Sequence, residues 1–190
     1  MLGAKRLKRK TAKEILAEAF REVAEEKPVD AITVKDITEN CGYSPATFYR
    51  QFKDKYDLIA WDYSRKVGQI MDRVGKDNYV WRDALYRALH YYDDEKEYLT
   101  NLFQHTNGLD SFLRNMTEIN DSHLRACIME AMNVERLDER TAMIIHLYCH
   151  GTVALVCEWV LGEYDVTADA LAEVFEQSLP EPLKRHLIRQ

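Results

Sequence analysis

From Thr11 onward, the apolar positions Ile15, Leu16, Ala19, Phe20, Val23 and Ala24 recur at three-to-four spacing. This predicts an amphipathic helix with one buried face, and Pro28 ends it. Thr33 then precedes Val34, Lys35 and Asp36, a Thr-x-x-acid pattern that caps a second, short helix with Val34 and Ile37 turned inward. Cys41-Gly42 closes that helix, because glycine tolerates the left-handed backbone a helix stop often needs. Ser44-Pro45 supplies an N-cap and a first-turn proline, so a third helix begins almost at once and runs through Phe52.

Beyond Pro45 no proline occurs until Pro180. The chain has 7 glycines and 4 prolines, against about 13 and about 10 for average usage at this length, so turn chemistry is scarce and long helices are the natural occupant. The apolar periodicity places them at about 54–74, 80–92, 95–104, 109–132, 138–161 and 168–178, with Gly75, Gly108 and Gly162 at or beside the joints. Pro180-Glu181-Pro182 is expected to stop the last helix, which leaves 183–190 as a basic tail with Leu183, Leu187 and Ile188 available to pack and no assigned role. The fold class is all-α: an N-terminal helix-turn-helix domain over 1–56 and a helical domain over 57–190.

Composition excludes disorder: 46% of the 190 residues are apolar and 31% charged, the profile of a chain with a full core. Up to Asp57 there are twelve cations against ten acids, beyond it fourteen against twenty-two, so the net charge of −6 hides a basic head on an acidic body. Six of those cations precede Glu14. Cys41, Cys127, Cys149 and Cys157 form no CxxC pair, and without a secretory signal they read as reduced thiols in a cytoplasmic protein. The longest uncharged run, 141–157, is shorter than the roughly 20 residues a bilayer demands, so no membrane span is expected. HExxH, GxSxG and P-loop patterns are absent, and no histidine follows a glutamate by three positions; an enzyme is not indicated. His146 and His150 share a helical face, but two imidazoles lack the third ligand of a metal site, so neither metal nor cofactor is assigned.

Two short helices joined by a tight glycine-containing turn make a helix-turn-helix, whose second helix enters the DNA major groove with its N-terminal residues nearest the bases. Here the ordered residues are Thr11…Ile15…Ala19-Phe20, Ile32-Thr33-Val34-Lys35-Asp36-Ile37, Cys41-Gly42-Tyr43-Ser44, Thr47-Phe48-Tyr49-Arg50-Gln51-Phe52 and Lys53-Asp54-Lys55. They resemble the DNA-binding domain of TetR-family transcriptional regulators over roughly residues 10 to 60. Thr33, Tyr49, Lys53 and Lys55 carry the hydroxyls and cations that phosphate oxygens accept from. Tyr43, Ser44, Ala46, Thr47 and Arg50 are placed for base edges, methyl-bearing side chains meeting thymine and Arg50 reaching guanine. The basic segment before the first helix sits where an arm along the DNA would lie.

The resemblance implies that the rest of the chain is the family's variable effector-binding and dimerisation domain. It also implies that the last two long helices, 141–161 and 168–178, pair across a dimer axis. A homodimer is favoured independently, because one short recognition helix makes too few base contacts for operator-level specificity while two read a palindrome on double-stranded DNA. Walls for a small-molecule effector are expected from Tyr86, His90, Phe103, Phe112, Met116 and Tyr148, and the helix beginning near Asp54 joins head to body. The family most often represses and is released by its effector. The second reading keeps the head but gives control to a protein partner, with activation as the outcome. Glu158-Trp159-Val160-Leu161-Gly162 resembles the branch of dihydroxyacetone-kinase regulators, some of which work through protein partners, though no partner is carried over from it.

Overall fold

The computed structural model describes residues 10–105 and 109–187. Its helices are α1 (Ala12–Ala24), α2 (Val34–Asn40), α3 (Pro45–Gln51), α4 (Lys55–Met71), α5 (Trp81–Asp94), α6 (Lys96–His105), α7 (Leu109–Met132), α8 (Glu139–Val160), α9 (Ala168–Gln177) and α10 (Glu181–Leu187). A 3₁₀ turn spans Val29–Ala31, and no strand occurs among the described residues. The all-α reading therefore stands. Two compact units meet between Asp62 and Tyr63, inside α4.

In the first unit, α1 turns Leu16, Ala17, Ala19, Phe20 and Ala24 inward, whereas Ile15 and Val23 are only half-buried. They meet Ile37 of α2 and Phe48 of α3 in one core, closed by Val29, Ile32, Phe52 and Leu58. Capping is local and strong: Thr11 with Glu14 and Thr33 with Asp36 both form reciprocal capping boxes, satisfying backbone donors that a helix start leaves open. Asp62, buried at 3% exposure, is not left uncompensated, since Arg21 Nε donates to its carboxylate at 2.8 Å.

In the second unit, α5 packs along α9, α7 along α8, and α10 against α7. Tyr148 of α8 donates to the Phe175 carbonyl of α9 at 2.9 Å. Trp159, buried near the end of α8, donates its indole N–H to the Val166 carbonyl at 2.8 Å. This bond pins the loop between α8 and α9, so Trp159 has a structural task here.

One expectation is corrected. The Pro180-Glu181-Pro182 segment begins a helix as well as ending one: the Pro180 carbonyl accepts from Leu183 N at 2.8 Å, and Leu183 and Leu187 are buried. A proline in the first turn lacks only a donor that the turn would leave unpaired, and Leu183 and Leu187 pack as expected, but from a helix. Helix α8 lies where the apolar period placed it, over Glu139–Val160, past the uncharged run at both ends. By length and composition it is long enough to cross a membrane, but 44% of its most apolar stretch is buried inside the unit. Between 141 and 160, Met143, His146, Leu147, His150 and Gly151 are its exposed positions.

Candidate nucleic-acid interface and ligand cavity

Between α2 and α3 the chain must reverse within four residues. Gly42 adopts φ +71°, and a Cβ there would meet nothing within 4 Å. Glycine is required by the backbone angle, not by crowding. Tyr43 N closes the turn onto the Thr38 carbonyl at 2.9 Å, and Ser44 then caps α3 by accepting from Thr47 N at 3.2 Å.

With Phe48 fully buried, the opposite side of α3 faces outward. Ser44, Thr47 and Arg50, three apart, form a hydrogen-bonded row: Ser44 Oγ to Thr47 Oγ1 at 3.1 Å and Arg50 Nη2 to Thr47 Oγ1 at 3.1 Å. Ala46 and Arg50 are exposed, Tyr43 is half-buried, and Tyr49 is 61% exposed with its ring edge-on to Phe48. An exposed tyrosine and arginine with a half-buried threonine on one short helix make a polar reading head held from beneath by aromatic packing.

The phosphate candidates separate. Tyr49 and Lys53 are exposed. Thr33 directs its hydroxyl proton at Asp36 Oδ2, 2.7 Å away, and is occupied as a cap. The Lys55 ammonium is engaged within the unit, where it donates to the carbonyls of Val29, Asp30 and Ile32 at 2.8, 2.9 and 2.8 Å. Three protons thus meet three acceptors, and burial lowers the Lys55 pKa from its usual value while Asp30 opposes that shift. Lys55→Met should destabilise the head by about 2 kcal/mol, the cost of stranding carbonyls of the 3₁₀ turn. Urea denaturation checks this, and an unchanged midpoint would return Lys55 to the phosphate set.

Other cations of the basic head are also engaged within it. Lys13 lies over the rings of Phe52 and Trp61 at 5.1 and 5.5 Å, Lys10 pairs with Glu18 at 2.7 Å, and Lys27 pairs with Asp36 at 2.6 Å. The cations at 5–9 lie outside the described residues. Lys27 and the Thr33 cap hold the Asp36 carboxyl well below the usual carboxylate range. A depressed folded pKa contributes stability that is present above the unfolded value, near 3.8, and is lost as pH falls through the folded one. Asp36→Asn should therefore destabilise the protein at neutral pH, with a gap to the parent that narrows steadily below about pH 4. Denaturation midpoints across that range read it out, and a constant gap would count against the assignment.

The second unit holds a partly open cavity of about 70 Å³ among α4, α5, α7, α8 and α9. Met116 and Tyr148, both expected from the sequence, line it. Tyr86, His90 and Phe103 do not: α5 turns Trp81, Ala84, Leu85, Ala88, Leu89 and Tyr92 to the cavity, whereas Tyr86 accepts from Arg82 at 3.4 Å and exposed His90 meets Asp169 at 2.8 Å. Phe103 is buried elsewhere in the core, and the Phe112 side chain lies outside the described residues. Asn120 was missed, because a lone amide carries no sequence signal until a fold aims it. His146 Nδ1 lies 3.2 Å from Asp121 and stacks on His150, and no group of three metal-ligating side chains occurs among the described residues.

Comparison with known proteins gives two family matches that follow these two units. Residues 15–60 match the model described as bacterial regulatory proteins, tetR family, and residues 80–181 match one described as a transcriptional regulator C-terminal region. The second match alone covers more than half of the chain. The chain belongs to the TetR family.

A curated relative, the HTH-type dhaKLM operon transcriptional activator DhaS of Lactococcus lactis, is 25% identical over 89 residues, an alignment spanning 47% of each chain, or about half the length of that relative. Among solved structures, the dihydroxyacetone kinase operon activator DhaS superposes with TM-score 0.65 at 18% identity, over 93% of this chain and 98% of the other. The TetR family repressor AlkX from Dietzia sp. gives 0.60 at 17% identity over 93% and 98%. At such identities the structures share the fold alone. This TetR-family protein is a DNA-binding transcriptional regulator and not an enzyme, with α2 and α3 as its helix-turn-helix.

Proposed function

We propose that this regulator acts as a homodimer on a palindromic operator, with α3 of each copy in the major groove and a small-molecule effector in the cavity of the second unit. The observation that carries the DNA reading is the exposed face of α3, where Ser44, Ala46, Thr47, Tyr49 and Arg50 stand around a buried Phe48, with Tyr43 beside them and Lys53 following. Tyr49 and Lys53 serve the phosphates, and the others face base edges. The unit ending at Asp62 supplies DNA binding, and the unit beginning at Tyr63 supplies effector binding and pairing.

Pairing is supported by an open apolar stripe. Met143 and Leu147 of α8 are 72% and 74% exposed, Gly151 follows on the same face, and Val174 of α9 is 46% exposed. A second copy laid on that stripe covers side chains that water disfavours. The role is exerted in the cytoplasm, where the operator is. Repression with release requires that the effector bind the released state better than the DNA-bound one, since equal affinity shifts nothing.

Activation under a protein partner is the second reading, favoured by the likeness to DhaS, which is an operon activator. One experiment decides between them: footprinting on the DNA upstream of the protein's own gene and on duplexes selected from a random pool. A protected palindrome that is lost on adding a metabolite supports the first reading. Protection unmoved by metabolites but altered by a co-purifying protein supports the second, and specific protection of no duplex would defeat both.

A further inference from the structure

We propose, resting on the effector reading above, that the cavity takes a neutral, compact molecule consisting of an apolar body with one hydroxyl group, which donates to Asn120 Oδ1 and accepts from the Tyr92 hydroxyl.

The assignment follows from the protons in the wall. Tyr148 donates to the Phe175 carbonyl, and Thr152 Oγ1 donates to the Tyr148 carbonyl at 2.9 Å, so neither offers a proton to a guest. Asn120 Nδ2 lies 2.8 Å from the Met116 carbonyl, which only accepts; that end of the amide is therefore the nitrogen. Its other proton goes to Tyr63 Oη at 2.6 Å. Tyr63 and Tyr92 hydroxyls are 3.0 Å apart and buried. Were Tyr92 the donor, the Tyr63 proton would be buried without an acceptor, a cost the opposite direction avoids. The relay thus runs Asn120 to Tyr63 to Tyr92 and leaves two groups over: the Asn120 carbonyl oxygen and the Tyr92 O–H, bridged by one phenol.

A hydroxyl is the group that answers both at once. None of the lining side chains among the described residues is charged, and burial pushes the Cys149 thiol up to about 12, so it stays neutral. A carboxylate or ammonium would leave water for a wall with no counter-charge. The volume of about 70 Å³ is roughly half that of the engineered cavity of about 150 Å³ that admits benzene, which limits the enclosed part to a few carbon atoms.

The test is calorimetric titration of the full chain at neutral pH with 1-butanol, butyrate, butylammonium and methyl propyl ether. The alcohol should bind at least tenfold tighter than either ion and about fivefold tighter than the ether, which cannot donate to Asn120. Tyr92→Phe should weaken alcohol and ether by a similar factor, again about fivefold. Ala88→Phe, which fills the cavity, should abolish binding of both. An ion matching the alcohol overturns the neutral class, and an ether matching it overturns the hydroxyl assignment; in both cases the cavity remains a ligand site. Failure of all four probes to bind, or unchanged binding in Ala88→Phe, overturns the cavity as a ligand site and the effector reading with it.

Discussion

Leu147→Glu is expected to turn a dimer into monomers of unchanged fold. Leu147 is 74% exposed in a single copy, so the substitution removes little from the core of its own unit and its melting behaviour as a monomer should match the parent. Across a symmetric interface the same position meets its counterpart or a close neighbour, and each copy would bury a carboxylate without a partner. Breaking charge balance in this way costs several kcal/mol, so the dimer dissociation constant should rise about a thousandfold or more. Sedimentation at micromolar concentration reads it directly. Operator affinity should fall with it, because two half-sites are then no longer bound together. A parent chain that sediments as a monomer would defeat the pairing proposal outright, and an undisturbed Leu147→Glu dimer would move the interface to another face.

Arg50→Ala carries the second large effect. Arg50 is exposed at the outer end of the Ser44–Thr47–Arg50 row, with Nη2 held by Thr47. A bidentate arginine–guanine contact is worth about 1–3 kcal/mol of discrimination, and a dimer has two. Operator affinity should drop about 100-fold, with preference relaxed at one base pair of each half-site. Lys53→Ala should behave differently: a uniform weakening on all duplexes and a salt dependence flatter by about 1 in slope per head. Titrations on operator and scrambled duplexes at several salt concentrations separate the two. If Arg50→Ala weakened both duplexes equally, Arg50 would be a phosphate contact.

The legibility of the sequence was uneven, for physical reasons. Helix boundaries were readable where chemistry is local. Thr11, Thr33, Ser44, Asp138 and Thr167 each cap the helix that follows through their own side chain, and the 109–132 helix lies where its apolar period placed it. The packing of Leu183 and Leu187 was readable, but their helix was not, because the two prolines before it read as a stop. Side-chain roles were harder to read. Lys55 and Lys13 count as cations in the sequence, but their ammonium groups are engaged by carbonyls from 23 to 26 residues away and by rings beyond the second turn. Aromatic character identified Tyr86 and His90 as pocket candidates, although the phase of α5 puts them on the far side from Trp81, Ala88 and Tyr92.

The amino-acid order by itself determined the all-helical class, the glycine turn at Gly42 and the polar outer face of α3. Caps, left-handed stops and 3.6-residue periods act within one turn of the chain and need no distant partner. The tertiary structure alone decided which cations of the basic head are engaged within it, which positions of α8 are buried, and which polar groups the cavity keeps unpaired. Each of these depends on an atom brought close from far along the chain: a carbonyl for Lys55, a phenol for Asn120. The basic head and acidic body remain true as composition, but it is the free donors left after folding that set what the surface and the cavity can bind.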